Sequence, residues 1–412
     1  MMFNILRAAL FTNEQITLSD WQPVFEEMKQ QTVAALPYNI LPAEATKWRS
    51  YCMKKQGQAI RVLHAQDELI SLLESNGISC VILKGAAAAM AYPYPTLRTM
   101  GDLDFLVKRC DLDRTAKLLE ENGYLLVHDK ERESHHYAYK KDKISFELHW
   151  RIPLISEDDE KRMALFEEGI DNRELHEIEG YRFPVLPILF NGLVLIFHID
   201  QHLRSGLGLR QIVDWMMYVH NLKPEEWEAL QPLLIDNGVE KLARTVTVLC
   251  QRYLGLPQII EDDASLPVDE LLAYFLEKGN FGQKAGLDGN VAAFALSSTE
   301  KGGFFKRLQD GGMSRWKAAQ KHKILQPFAW IYQGFRIAGV LVKNRKTPTA
   351  VLKQAQHGAD QRHLIEALGL EMDRTIQPNK STWKRERIRD QQGTLNIISA
   401  TRSCRDRCKQ ID

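Results

Sequence analysis

The acidic residues with the most informative spacing are Asp102 and Asp104, which lie in the segment DLDFLV. The segment is typical of a strand, in which successive side chains point to opposite faces. Asp102 and Asp104 therefore share one face, while Leu103, Phe105 and Val107 form an apolar face that fixes the register. Two neighbouring carboxylates repel each other unless a cation neutralises them. The spacing predicts a site for Mg²⁺, which is usually held by a few carboxylates and substrate phosphates.

A third acid, Glu147, lies in the later segment ISFELHW. Its neighbours Phe146 and Leu148 are apolar, which makes a charge there costly without a partner. Phosphoryl transfer with two metal ions uses shared carboxylates to hold the ions about 3.5–4 Å apart. We therefore predict Asp102, Asp104 and Glu147 as catalytic and metal-binding residues for two Mg²⁺ ions, with Mn²⁺ as an alternative. An ion pair between Glu147 and Arg151 is the structural alternative, and His149 and Trp150 are expected to pack.

A candidate phosphate-binding turn precedes the acids, where the strand-like segment 78–83 runs into an alanine-rich helix. Backbone N–H groups at a helix start can bind phosphate, and glycine permits a close approach. Lys84 or Arg98 could neutralise the charge on a leaving pyrophosphate. The predicted nucleotide-binding residues are Lys84, Gly85, Arg98 and Gly101. Ion pairs of Lys84 and Arg98 with the acids, made to hold the fold, are the alternative.

The elements that position these residues can be read from hydrophobic spacing and from turn residues. The pattern predicts helices over 48–74, 86–92 and 111–121, the last of them capped by Asp111, and strands over 78–83, 102–107 and 124–127. A hairpin is predicted over 135–140 and 143–150, with Lys141-Asp142 at its turn. Helical periodicity follows over 188–203, 210–221, 225–236 and 239–254. The fold class is α+β, with a small mixed sheet, a helical N-terminal segment and a helical C-terminal lobe.

The length of 412 residues predicts several lobes rather than one core. The expected divisions are a helical segment 1–76, an α+β core 77–182, a helical lobe 183–280, a linker with further helices 281–380 and a basic tail 381–412. The net charge is only +1, so the chain as a whole lacks the excess of positive charge that would favour binding to nucleic acid or to an anionic membrane. The N-terminal apolar stretch is too short for a signal peptide, and no segment is long and apolar enough to span a membrane. A cytoplasmic location is expected.

The segments ILKGAAAAMAYPYPTLRTMGDLDFLV and FELHW resemble the uncharacterised nucleotidyltransferase-like family within the polymerase beta type superfamily. That superfamily combines a Gly-Gly or Gly-Ser turn, an Asp-x-Asp or Asp-x-Glu strand and a further acid. Here these would be Gly85-Ala86, Asp102 with Asp104, and Glu147. The resemblance covers about 77–151, and 198–214 is similar to the helical segment that follows in the family. It implies transfer of a nucleoside monophosphate from a triphosphate such as ATP to an acceptor, with a small-molecule acceptor favoured.

Two departures from the family pattern keep other functions open. Ala86 stands where typical members have Gly or Ser, and the spacing from Gly85 to Asp102 is longer. The first alternative is therefore a catalytically inactive module that binds a nucleotide, a sugar or a protein. A second is modification of RNA, such as tRNA ends, or of a protein, with the basic tail 381–412 as a docking segment for nucleic acid.

Two further groups of residues have an open role. His198, His202, Arg210 and Asp214 lie near helical spacing on a segment that could face the acids. They could shape the acceptor site, form a zinc-like cluster or make a structural hydrogen-bonded network, and the network is favoured. Cys404 and Cys408 could share a metal or oxidise, but reduced thiols are the simpler interpretation of all six cysteines.

Overall fold

The computed structural model describes residues 1–127 except 16, 18 and 19, and residues 136–155, 159–203, 206–278, 309, 312–313, 316–335 and 360–370. The predicted glycine-rich linker at 279–312 lies outside these residues except at positions 309 and 312. The basic tail at 381–412, with Cys404 and Cys408, lies outside them entirely. In the described part of the chain, no helix has both the length and the apolar character needed to cross a membrane.

Seven strands form one sheet: β1 (Cys80–Leu83), β2 (Leu103–Val107), β3 (Leu125–Leu126), β4 (His136–Lys141), β5 (Ile144–His149), β6 (Glu174–Ile178) and β7 (Tyr181–Val185). Their order across the sheet is β3-β4-β5-β2-β1-β7-β6. β2 pairs in parallel with β5, and β1 pairs in parallel with β7. The other neighbours are antiparallel. The sheet is therefore mixed, with β2 and β1 at its centre.

Helices precede, interrupt and follow the sheet: α1 (Met2–Arg7), α2 (Gln22–Gln30), α3 (Thr46–Ser75), α4 (Gly85–Ala89), α5 (Leu112–Glu121), α6 (Glu160–Asp171), α7 (Ile188–Leu203), α8 (Leu209–Asn221), α9 (Pro224–Asp236), α10 (Glu240–Leu249) and α11 (Val268–Lys278). A short helix covers Lys317–Lys321, and residues 329–335 and 360–367 are also helical. This architecture is the predicted α+β class.

The two faces of the sheet bury different cores, as the alternation of side chains requires. Leu103, Phe105 and Val107 of β2 pack in a core that includes apolar residues of α3 and α5. Leu106 points the other way and packs in a second core, to which α1, α2, α7, α8 and α10 contribute. Asp104 lies on the same face of β2 as Leu106, so it faces the helical lobe.

The N-terminal helices and the helical lobe share this second core. Trp48 of α3 is fully buried in it, together with Trp215 of α8. The Trp48 indole donates a hydrogen bond to the carbonyl of Ala34, and the Trp215 indole donates to Thr247 Oγ1 at 3.0 Å. Helices from before and after the sheet in sequence therefore form one layer, and this layer covers the acidic face of the sheet.

Several predicted elements agree with the structure within a few residues, and others differ. The first acid, Asp102, precedes β2 rather than belonging to it. Asp111 occupies the cap position of α5, but its side chain makes no capping hydrogen bond. The hairpin turn is Asp142-Lys143, where both residues have positive φ, instead of Lys141-Asp142.

A second hairpin, β6–β7, was not predicted. Its turn is Glu179-Gly180, where φ is 51° and 83°. Leu175 of β6 is 71% exposed, so β6 shows little of the apolar alternation that marks a half-buried strand. β7 spans the predicted division between residues 182 and 183 and pairs with β1 at Ile82 and Val185. The sheet thus extends slightly beyond the expected limit of the α+β core.

Candidate active site

The register of three neighbouring strands brings the predicted acids together. In the parallel pair of β2 and β5, Asp104 lies opposite Glu147 and Leu106 lies opposite His149. In the antiparallel pair of β1 and β2, Leu83 lies opposite Asp104, so the next residue, Lys84, arrives beside that carboxylate. The side chains of opposite residues share a face. The sheet itself therefore places the acids and a lysine at one point.

Asp104 is the most enclosed of the three acids, with 7% of its surface exposed. Its Oδ1 atom lies 2.9 Å from Lys84 Nζ and 2.9 Å from His149 Nε2. Burial acts to raise the pKa of the Asp104 carboxyl, but the Lys84 ammonium and the His149 imidazole outweigh it and hold that pKa well below its usual range. Asp104 is therefore an anion that its neighbours already compensate.

Asp102 is exposed at the edge of the same site. Partial desolvation, followed by the negative charges of Glu147 and Asp104, raises the pKa of the Asp102 carboxyl. A hydrogen bond from Ser145 acts in the opposite direction. Asp102 borders a cleft of about 180 Å³ together with His136, Ser145 and Glu147. Its environment thus carries negative charge that is only partly balanced, which favours the arrival of a cation.

Glu147 lies between two imidazoles. Its Oε1 atom is 3.8 Å from His136 Nε2, and its Oε2 atom is 3.3 Å from His149 Nε2. Arg151, the structural partner considered for Glu147, donates a hydrogen bond from Nη1 to the Ile155 carbonyl at 2.7 Å. His149, which was expected only to pack, is fully buried and contacts both Asp104 and Glu147. Trp150 does pack, against the ring of Tyr137.

The turn between β1 and α4 has an unusual backbone. Lys84 adopts φ 49° and ψ −120° as the residue before the helix. A non-glycine residue with this φ is strained by about 1–3 kcal/mol, and such strain persists where the surroundings impose it. A Cβ atom added to Gly85 would lie 3.9 Å from the Asp102 carbonyl oxygen, which is an ordinary contact. Gly101 is exposed, and a Cβ atom there would meet nothing within 4 Å.

Arg98 is held by the helical lobe. Its Nε and Nη2 atoms donate to the two carboxylate oxygens of Asp214 in α8, at 3.0 and 2.5 Å. Tyr92 donates its hydroxyl to the same carboxylate at 2.7 Å. The side chains of Arg98 and Asp214 are 4% and 2% exposed. This bidentate pair fixes the loop between α4 and β2 onto α8.

Arg210, also on α8, has fewer partners. Its Nη1 atom donates to the Thr99 carbonyl at 3.4 Å, and its buried Nε atom has no hydrogen-bond partner among the described residues. Burial, and then the positive charge of Arg98, lowers the pKa of Arg210, whereas Asp214 and Asp104 act to raise it. Arg210 is therefore a cation near the acids whose charge is poorly compensated.

The two histidines of α7 lie on the side of the acids. His198 Nε2 and His202 Nε2 are 2.9 Å apart. Burial, and then the positive charge of Lys84, lowers the pKa of His202 to about 3. Burial also lowers the pKa of His198, where His202 and Lys84 act in the same direction. Both imidazoles are therefore neutral in the folded protein. The two histidines contact each other, whereas Asp214, from the same predicted group, accepts hydrogen bonds from Arg98 and Tyr92.

Comparison with known proteins identifies a family for this chain. A family model described as uncharacterised nucleotidyltransferase matches residues 18–255. No curated protein matches. A solved structure described as an antigenic nucleotidyltransferase-like protein from Paracoccidioides brasiliensis is 16% identical, with a TM-score of 0.28, over 47% of this chain and 96% of that chain. With so low a TM-score, this similarity adds nothing to the family match.

Proposed function

This chain belongs to the uncharacterised nucleotidyltransferase family, and from that premise we propose that it transfers a nucleoside monophosphate from a nucleoside triphosphate to a hydroxyl or phosphate acceptor. The acceptor oxygen attacks the α-phosphorus, the bond from that phosphorus to the bridging oxygen breaks, and pyrophosphate leaves. A small-molecule acceptor is favoured. The observation that carries the proposal is the meeting of Asp102, Asp104 and Glu147 beside Lys84 on three neighbouring strands.

Divalent metal, with Mg²⁺ first among the candidates, fits the carboxylates at the cleft. Asp102 and Glu147 both border it. Partial desolvation, followed by the negative charges of Glu147 and Asp104, raises the pKa of Asp102, and a cation would neutralise those charges. Asp102 and Glu147 would hold the metal. Asp104 would position Lys84 and His149 through its contacts with both side chains. When bound, the metal polarises phosphate oxygens and stabilises charge on the leaving group.

Two cations are proposed to hold the triphosphate. Lys84 lies at the strained turn beside Asp104, where phosphate can approach Gly85 closely. The buried Nε atom of Arg210 has no hydrogen-bond partner among the described residues, and a phosphate would supply a charge-assisted hydrogen bond to this guanidinium. Arg98, predicted for this role, has its guanidinium engaged by Asp214, and its proposed contribution is now to position the loop that leads to Asp102.

Isothermal titration of ATP, GTP, CTP and UTP in the presence of Mg²⁺ tests the site. The informative variant is Asp102→Asn, because Asp102 is exposed and its replacement leaves the pair of Lys84 and Asp104 intact. Its matched control is Asp113→Asn, an exposed aspartate on α5. One triphosphate should bind to the intact protein and to the control, and at least about tenfold more weakly to Asp102→Asn. Equal affinity in all three proteins would contradict the proposal.

Turnover is tested separately, by release of pyrophosphate from the triphosphate that binds, in a screen of acceptor molecules. The second candidate function is a nucleotide-binding module without catalysis. Compensation of Asp104 by Lys84 and His149 favours it, as does Ala86 in the turn. Metal-dependent binding without pyrophosphate release for any acceptor would support the module. RNA as acceptor would instead give binding that weakens steeply with salt and is lost without residues 381–412.

A further inference from the structure

The acidic face of the sheet carries two imidazoles that an all-oxygen Mg²⁺ site does not use. His136 of β4 lies directly opposite His149 of β5 in an antiparallel pair. Glu147 precedes His149 by two residues, so its side chain emerges on the same face. Three potential ligand atoms, one from each residue, all lie within 4.8 Å of one another. Two adjacent strands of the sheet thus present a nitrogen, oxygen and nitrogen donor set.

The separations suit a single metal ion. Bonds of about 2.0–2.2 Å in a tetrahedral arrangement place neighbouring ligand atoms about 3.3–3.6 Å apart. The Oε2 atom of Glu147 lies 3.3 Å from His149 Nε2, and its Oε1 atom lies 3.8 Å from His136 Nε2. Only a small movement of side chains is needed to bring the three to one ion. The Nε2 atom of His149 would exchange its contact with Asp104 for the metal, and Asp104 would keep Lys84.

Exposure leaves room for a further ligand. The side chains of His136 and Glu147 are 17% and 26% exposed, whereas His149 is fully buried. The cleft beside them, lined also by Asp102 and Ser145, has a volume of about 180 Å³. A metal ion bound between the buried His149 and the partly exposed His136 and Glu147 would therefore lie at the cleft. There a water molecule or a phosphate oxygen can complete its coordination.

We propose that His136, Glu147 and His149 form a site for a divalent transition-metal ion, with Zn²⁺ bound more tightly than Mn²⁺ and Mn²⁺ more tightly than Mg²⁺. Imidazole suits zinc, iron and related ions, whereas Mg²⁺ prefers oxygen ligands. The order of zinc above manganese follows the general affinity series of divalent ions. This inference shares Glu147 with the proposed catalytic site but does not depend on nucleotide binding or turnover.

The experiment uses the full chain without nucleotide, in a Cys404→Ser/Cys408→Ser background that removes the closely spaced cysteine pair as a competing zinc ligand. Binding of ZnCl₂, MnCl₂ and MgCl₂ is measured by isothermal titration, and bound metal is counted by elemental analysis after dialysis. His136→Ala is the test variant, because this residue lies on β4, which β5 separates from β2 and its Asp104. His176→Ala, on strand β6, is its matched control.

One Zn²⁺ ion per chain should bind to the background protein and to His176→Ala, and the affinity should fall by about 10–100-fold or more in His136→Ala. Co²⁺ should give visible absorption bands whose intensity falls in the same variant. His136→Asp, which restores a ligand of a different type, should recover part of the affinity for Mn²⁺. Zn²⁺ affinity that equals that of Mg²⁺, or that is unchanged in His136→Ala, would overturn the proposal. If the background protein binds Zn²⁺ but binds no nucleoside triphosphate, the proposed function alone is rejected and the metal site stands.

Discussion

Asp214 offers the most direct test of how the helical lobe supports the site. Its carboxylate accepts two hydrogen bonds from Arg98 and one from Tyr92. Asp214→Ala leaves the Arg98 guanidinium buried without its counter-ion, which costs about 3–5 kcal/mol. The Tyr92 hydroxyl also loses its acceptor, at a further cost of roughly 1–3 kcal/mol. The side chains of Arg98 and Asp214 are almost fully buried, so solvent does not reduce these values.

The free energy of unfolding is measured by urea denaturation, with tryptophan fluorescence as the signal, because the buried indole of Trp215 lies on the same helix as Asp214. A loss of this size is a large fraction of the 5–15 kcal/mol that is typical of native proteins. The triple variant Arg98→Met/Asp214→Leu/Tyr92→Phe removes all three polar groups together. It should recover most of the loss, because apolar replacement of a buried ion pair is often neutral or stabilising.

The triple variant also decides the role of Arg98. If Arg98 only positions the loop before β2, a triple variant that is folded should bind the triphosphate within a few-fold of the intact protein. Loss of binding in the folded triple variant would show that Arg98 contacts phosphate, and would refute the assignment made from its pair with Asp214. An Asp214→Ala variant as stable as the intact protein would refute the energetic reasoning itself.

Three further measurements follow from other parts of the site. Gly85→Ala should change the free energy of unfolding by no more than about 1 kcal/mol, since the added methyl group makes only an ordinary contact. If phosphate approaches this backbone, the variant should bind the triphosphate more weakly in titration calorimetry, and unchanged affinity would count against that contact. Arg210→Met should weaken triphosphate binding by roughly tenfold or more without loss of stability, since the guanidinium has little compensation to lose, and Arg244→Met on α10 is its control. The free energy of unfolding should fall as the pH drops from about 6.5 towards about 3, because His202 is protonated there in the unfolded chain, while burial lowers its pKa in the folded chain to about 3. In urea denaturation, His202→Gln should lessen this fall by at most about 1.4 kcal/mol per pH unit relative to the intact protein. An identical pH profile in the variant would contradict a buried neutral His202.

Local sequence patterns were sufficient to predict the strands that carry the acids. Alternation of apolar residues in DLDFLV and ISFELHW gave the correct faces, because each segment buries Phe105 or Phe146 on the opposite side from its acid. Helical spacing also gave α3 and α7 within a few residues. These elements are determined by periodicity within one segment, which a single sequence displays directly.

An ion pair of Lys84 with one of the acids was among the alternatives, and the structure shows it with Asp104. The other partners of the site residues could not be predicted from local patterns. Asp104 contacts Lys84 and His149 because β2 lies between β1 and β5, and that order depends on pairing between distant segments. Arg98 and Asp214 are 116 residues apart in sequence. Only the docking of α8 on the loop before β2 shows that they meet. His149 alone carried a local signal, since it shares the face of Glu147, but its burial beside Asp104 required the parallel register.

The central position of β1 also affects how the chain folds during synthesis. β1 lies between two strands, and the second of them, β7, is synthesised after β2 and β5, which carry the acids. Until then the sheet has an unpaired edge beside the acidic site, and such edges readily pair with other chains. A nascent chain that ends before β7 is therefore expected to expose this edge of β1. The helical lobe is synthesised after β7, and its Asp214 then pairs with Arg98.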